Sequence, residues 1–137
     1  MADLIINNKD ALQTWGAKIG EGFIDAIFAP SPLKEFIENK SRLENGKRVI
    51  YNDPKVDERD VTLVFNLEGI SQSDYLSKYK GFKTELEKGK VEIQVPSLGE
   101  EIYRLTYQKS TSFAMNTLRT FSKLSVKFQE ANPADRT

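Results

Sequence analysis

Few side chains in this sequence are of the types that usually carry out enzyme chemistry. The chain contains no Cys and no His. A thiolate nucleophile, a zinc–thiolate centre, an iron–sulfur cluster and a Ser-His-Asp triad are therefore excluded. Any catalytic or metal site would have to be built from carboxylates, hydroxyls, lysines and tyrosines.

The acidic stretch at residues 53–60 is the first candidate site. Its carboxylates would suit Ca²⁺ or Mg²⁺, which prefer oxygen ligands. The stretch lacks the alternating ligands and central Gly of an EF-hand loop, and Lys55 and Arg59 offset part of its charge. We therefore interpret it as a solvated loop that precedes a strand.

Two further clusters have spacings found in enzymes. Ser77 and Lys80 match Ser-x-x-Lys, but the Ser-Asp-Asn and Lys-Thr-Gly elements of penicillin-recognising enzymes are absent. Glu100 and Glu101 are adjacent, so on a strand they would point to opposite faces, whereas a glycosidase needs two carboxyls across one cleft. We predict no catalytic, cofactor-binding or metal-ligating residues, and thus no cofactor.

The charge balance bears on possible partners. The 20 Lys and Arg residues equal the 20 Asp and Glu residues, so the formal net charge is zero. Binding to nucleic acid or to an acidic membrane needs concentrated positive charge, and we expect neither. The most apolar stretch, residues 22–30, contains Asp25 and is too short to span a bilayer.

The hydrophobic pattern predicts a chain made mostly of short strands. Apolar and polar residues alternate in four clear runs: residues 59–68, 91–95, 103–107 and 124–128. A short β-branched run at residues 4–6 is a further strand. The Asn45-Gly46 dipeptide favours a tight turn that would join residues 36–42 and 47–51 in a hairpin.

Two segments are harder to assign. Residues 18–28 are predicted as a strand, because Gly20 and Gly22 would cost a helix about 1–2 kcal/mol. Residues 109–116 are polar and predicted to be loop-like, although Phe113 and Met115 could line a strand edge.

One full helix is predicted, from Ser73 to Lys88, with Ser71 or Ser73 as its N-cap. Tyr75, Tyr79, Phe82 and Leu86 recur on one of its faces, and Gly89 follows its end. A shorter helical turn, capped by Asn8 or Asp10, would run through Leu12 and Trp15 and stop at Gly16.

These elements predict one α+β, mainly β domain over residues 1–137. We expect a sandwich or small barrel of about seven or eight short strands with the helix from Ser73 to Lys88 packed on it. A flexible C-terminal tail is expected from about residue 131.

The aromatic residues are expected to form the core, with one open question. Trp15, the single Trp, could anchor a binding interface or cap the core. One alternative function is a monomeric β-barrel module for a small ligand, which predicts a deep pocket lined by Phe, Tyr and Trp15.

The order of segments resembles small tail proteins of long-tailed bacteriophages and prophages. The residues that carry the resemblance are Trp15-Gly16, the Asn45-Gly46 hairpin, the strand led by Arg59, Leu86-Glu87-Lys88-Gly89-Lys90, residues 91–96, Tyr103 to Tyr107, and residues 123–130 with Asn132-Pro133. The sequence is most similar to the N-terminal domain of distal tail proteins, whose layout is shared with tail-tube proteins. Many distal tail proteins have a second, C-terminal domain, which would start where this sequence ends, so the tail-tube and distal-tail roles both stay open.

The resemblance implies a structural, non-enzymatic protein that assembles into rings, often hexameric, and contacts other tail proteins. It would be located in the virion tail after assembly in the bacterial cytoplasm. Possible subunit-contact residues are Trp15, Asn45, Gly46, Lys109, Ser110, Thr111 and Ser112.

Overall fold

The computed structural model describes residues 3–34, 37–40, 47–50 and 55–137. This part of the chain forms nine strands: β1 (Ile5–Ile6), β2 (Lys9–Asp10), β3 (Ala17–Ile19), β4 (Ile37–Lys40), β5 (Lys47–Ile50), β6 (Arg59–Glu68), β7 (Lys90–Gln94), β8 (Ile102–Met115) and β9 (Phe121–Glu130). It also forms three helices: α1 (Ala11–Trp15), α2 (Phe23–Phe28) and α3 (Gln72–Glu87).

Seven of these strands form one antiparallel sheet in the order β2-β1-β7-β8-β9-β6-β3. The sheet is open, with β2 and β3 as its terminal strands. The predicted α+β, mainly β class is confirmed, and α1 and α2 accompany the predicted long helix. The predicted pairing of the hairpin strands is also confirmed, since β4 and β5 pair antiparallel from Ile37↔Ile50 to Lys40↔Lys47, whereas the predicted turn at Asn45-Gly46 lies outside the described residues.

The core lies between the sheet and the helices. Strand β6 alternates as predicted, and its ten residues pair with all ten of β9. Phe65, in the middle of β6, makes edge-on ring contacts with Phe23 of α2, Phe82 of α3 and Phe128 of β9, at centroid distances of 5.4, 5.2 and 6.3 Å. Helices α2 and α3 therefore pack against the face of the sheet that carries Phe65 and Phe128.

The predicted long helix is confirmed as α3. The Ser71 hydroxyl accepts a hydrogen bond from the Asp74 N–H at 3.1 Å, so Ser71 is the N-cap. Tyr75, Phe82 and Leu86 are buried, as the helical spacing predicts. The Tyr75 hydroxyl donates to Ser122 Oγ at 2.5 Å, and this buried bond ties the helix to β9.

The predicted helical turn before Gly16 is confirmed as α1. Its N-cap is Asp10, which accepts hydrogen bonds from the Leu12 and Gln13 N–H groups. Gly16 ends the helix at φ 64°, in the left-handed region. A Cβ there would lie 2.1 Å from the Glu68 carbonyl oxygen, so the position requires glycine on both counts.

The predicted strand over residues 18–28 is wrong for most of its length. Strand β3 ends at Ile19, and α2 follows at Phe23–Phe28. Both glycines lie outside the helix, so the expected loss of helix stability does not arise. Gly22 is the N-cap at φ 80°, and the Gly20 N–H donates to the Val64 carbonyl. Phe23 and Ile27, four residues apart, are buried on one side of α2.

The predicted loop over residues 109–116 is also wrong. Up to Met115 these residues continue β8, which pairs with β9 as far as Met115↔Ser122. Every side chain from Gln108 to Met115 is exposed. This segment therefore lacks the alternation of buried and exposed side chains that would identify it as a strand. Pairing with the strongly patterned β9 determines the extended conformation, because strand formation depends on the neighbouring strand.

No helix in the described ranges is long and apolar enough to cross a membrane.

A buried ionic network joins the two long strands to the chain end. Glu130, fully buried on β9, accepts hydrogen bonds from Arg59 Nε of β6 at 2.6 Å and from Arg136 Nε and Nη2 at 3.0 Å each. Arg59 also donates to the Ile27 and Ala29 carbonyls, both at 2.8 Å. The Arg136 guanidinium lies 4.8 Å from the Tyr103 ring centroid. The network therefore fixes the end of α2 and the C-terminal residues against the sheet.

The network also determines how Glu130 titrates. Burial is the largest influence and raises the pKa, but hydrogen bonds from Arg136 and Arg59 together outweigh it, so the pKa of Glu130 lies below its ordinary value. A carboxyl with a lowered pKa stabilises the folded state above its unfolded pKa. That contribution is lost as the pH falls through the folded value.

We predict that Glu130→Gln destabilises the fold by about 3 kcal/mol, because it leaves two guanidinium groups without their buried counter-charge. Urea unfolding at neutral pH measures this loss. The free-energy difference between wild type and variant should shrink under acidic conditions.

Asp60→Asn is the matched control on the same pair of strands. Asp60 and Lys127 are 3.7 Å apart and partly exposed, so this change should alter stability by less than about 0.5 kcal/mol. Equal effects of the two variants would contradict the assigned role of Glu130.

Candidate assembly surface

The residues with enzyme-like spacings lie on the surface. Ser77, Lys80, Glu100 and Glu101 are all exposed. Within the described ranges, no group of three or more Asp and Glu residues is placed to hold a metal ion. Asp53 lies outside those ranges.

The outer half of β8 has an open edge. Strand β9 pairs with β8 up to Met115, whereas β7 pairs with β8 only between Ile102 and Thr106. The Tyr107 N–H still donates to the Gly89 carbonyl, but beyond it no strand in the described part of the chain lies against this side of β8. Residues 108–115 thus present unpaired backbone groups, which are a template for pairing with another chain.

Two β-bulges interrupt this open edge. The register with β9 shifts between Tyr107 and Lys109 and again between Ser110 and Ser112. At the second shift, the Ser110 and Thr111 hydroxyls each donate to the Ser125 carbonyl at 3.3 Å. Bulges increase strand twist, and a twisted edge with a lysine resists uncontrolled pairing with unrelated strands.

The predicted contact residues fall in three different environments. Lys109, Ser110, Thr111 and Ser112 are exposed together on the open edge of β8. Trp15 is only 4% exposed and packs edge-on against Phe82 at 5.8 Å, inside the core of the chain. Asn45 and Gly46 lie outside the described residues.

The turn between β8 and β9 is held by Asn116. Its side-chain oxygen accepts hydrogen bonds from the Thr120 and Phe121 N–H groups at 2.9 and 3.2 Å. The Asn116 N–H donates to the Phe121 carbonyl, and the Arg119 N–H donates to the Asn116 carbonyl. Arg119 has φ 56°, in the left-handed region that a tight turn uses.

A group of exposed apolar side chains surrounds this turn, and we call it the tip patch. Leu118 is 73% exposed and Ile70 is 95% exposed. Ile70 belongs here because the neighbouring Gly69 N–H donates to the Thr120 carbonyl. The tip patch consists of Ile70, Met115, Leu118 and Phe121. Contiguous exposed apolar groups usually mark interaction sites.

Sequence reasoning missed the tip patch. Met115, Leu118 and Phe121 recur every three residues, which does not fit the two-residue period of a strand, and Ile70 is far away in sequence. The available signal was that Met115, Leu118 and Phe121 are large apolar residues within a polar stretch. The hydrophobic pattern assigns none of the three to the core.

A groove of about 400 Å³ runs beside the terminal strand β3. Its apolar lining includes Leu12 of α1, Ile19 of β3 and Ile24 of α2. Asp3 and Asp10 add two carboxylates, and Lys18 lines it too but forms an ion pair with Glu68. No Phe, Tyr or Trp lines this groove, so it is not the aromatic pocket that a small-ligand module predicts.

We predict that Asn116→Ala loosens the β8–β9 turn without unfolding the sheet. The Thr120 and Phe121 amides would lose their acceptor, worth about 1 kcal/mol, and should exchange their hydrogens about fivefold faster. Residue-resolved hydrogen exchange measures this effect. Asn132→Ala removes an exposed bond to the Ala134 N–H and serves as the control. Unchanged exchange at Thr120 and Phe121 would contradict the assigned turn geometry.

A scan against protein-family models finds no match, and a search of curated proteins finds none either. Among solved structures, the chain is similar to the crystal structure of the Dit protein of phage SPP1, described as a paradigm of the hub adsorption apparatus in phages that infect Gram-positive bacteria. The TM-score is 0.61, with 11% sequence identity over 96% of this chain. The chain spans 50% of the length of that protein. The two proteins therefore share a fold, which confirms the tail-protein resemblance at that level.

Proposed function

We propose that this protein is a structural component of a phage tail. The observation that carries the proposal is the similarity of 96% of the chain to the Dit protein of SPP1, together with the matching order of segments in the sequence. Dit is described as part of a hub adsorption apparatus, so the proposed location is the virion tail, after assembly in the bacterial cytoplasm. Its partners are other copies of the chain and other tail proteins.

The open edge of β8 provides a means of assembly. An added strand would pair with the unpaired backbone groups of residues 108–115, and exposed side chains on that strand would set the register. When one copy uses its first surface to bind the second surface of the next copy, the pair still has one free surface of each kind. Such a contact closes into a ring when the rotation between copies allows it, and we propose a ring, with a hexamer as its expected size.

The electrostatics are compatible with self-association. The formal net charge is zero, so copies do not repel each other over long distances. Several charged groups that the structure describes lie in surface pairs such as Lys78–Asp74 and Arg104–Glu92. The buried cluster of Glu130 with Arg59 and Arg136 is hydrogen-bonded within the fold. The proposed role is non-enzymatic.

We predict concentration-dependent assembly that fails when the β8 edge carries an added charge. Ser112→Glu places a carboxylate on the open edge, where it would be desolvated without a partner in an assembled sheet. Assembly should weaken at least about tenfold, equivalent to about 1.4 kcal/mol. Light scattering coupled to size-exclusion chromatography measures the mass, and negative-stain electron microscopy shows whether rings form.

Thr106→Glu is the matched control on the same strand. Thr106 is exposed but lies where β7 and β9 already flank β8, opposite Lys90 and Gln129. This variant should assemble like wild type. A wild-type chain that stays monomeric at its highest soluble concentration would contradict the proposed function, and equal loss in both variants would contradict the β8 edge as the contact.

A further inference from the structure

We propose that the β8–β9 turn of one copy docks in the groove beside β3 of the next copy. This inference rests on the proposed self-assembly and identifies its second contact. The occupant is Leu118 with Arg119, and the receiving surface is formed by Leu12, Ile19 and Ile24 together with Asp3 and Asp10.

Hydrogen bonds to one side chain hold the backbone of the turn. Asn116 holds it through bonds to the Thr120 and Phe121 amides, so little conformational entropy remains to be lost on docking. Leu118 is its most exposed apolar side chain. The adjacent Arg119 is exposed and forms no ion pair with any described residue.

The groove is complementary to that element in both polarity and charge. Its lining from α1, β3 and α2 is apolar at Leu12, Ile19 and Ile24. Of its two carboxylates, Asp10 caps α1 and Asp3 is exposed. Apolar contact would hold Leu118, and the carboxylates would attract the Arg119 guanidinium.

The turn is attached to a different strand of the sheet from the one that lines the groove. The Gly69 N–H bond to the Thr120 carbonyl holds it beside the end of β6. β8 and β3 are also separated in the sheet by β9 and β6. Turn and groove are different surfaces, so a contact that two copies do not exchange reciprocally leaves a turn and a groove free. Such a heterologous contact is what a ring requires.

Disulfide trapping tests this contact directly, because the chain has no native Cys. Leu118→Cys in one preparation and Leu12→Cys in a second, mass-tagged one are mixed under mild oxidation. Docking brings the two thiols together and raises their effective concentration. We expect at least about tenfold more mixed dimer than from Leu118→Cys mixed with Leu33→Cys, an equally exposed position outside the groove. Equal yields from both mixtures would overturn the proposal.

Charge reversal gives a second, independent measurement. Arg119→Glu should reduce the trapped yield severalfold, and adding Asp3→Lys to the partner should restore it. No rescue by Asp3→Lys would count against the assigned ion pair. Trapping reports encounters even between monomers, so its failure is distinguishable from failure of the proposed function. If only the proposed docking is wrong, the wild type forms oligomers but Leu118→Cys and Leu12→Cys are not trapped together. If the proposed function is wrong, the wild type forms no oligomers.

Discussion

The length difference between β7 and β8 is the constraint on which the candidate surface depends. β7 has 5 residues and β8 has 14, so most of the outer half of β8 has a neighbour on only one side. The long ladder between β6 and β9 makes this arrangement possible, because β9 in turn pairs with β8 from Thr106 to Met115. The fold thus stabilises an extended edge that no strand among the described residues covers.

The buried Glu130 network strengthens that support. Glu130 bonds Arg59 of the neighbouring strand and Arg136 near the chain end, so the two central strands are joined at one end by charge and in the middle by the aromatic contacts of Phe65. At the opposite end, Asn116 and the Gly69 bond to Thr120 hold the exposed turn.

The sequence predicted the elements whose side chains alternate in burial. Strand β6 and helix α3 each have a buried face and an exposed face. The resulting repeat of apolar residues can be recognised within the segment itself. Helix α2 was missed because the prediction placed Gly20 and Gly22 inside the helix, where they would destabilise it. Both glycines precede the helix instead. The outer half of β8 was missed because all its side chains are exposed and its conformation comes from β9. Lys109 to Ser112 were nevertheless chosen as contact residues, because a polar, exposed segment predicts accessibility whether it is loop or strand.

Hydrogen exchange at residues 108–115, compared between free and assembled chains, tests the central claim most directly. Backbone amides on an open edge exchange quickly, and amides in a new strand ladder become protected. The account predicts fast exchange at the outward-facing amides of this segment in the monomer and strong protection in the assembly, with little change in β6. Assembly that leaves exchange at residues 108–115 unaltered would contradict the β8 edge as the surface through which copies join.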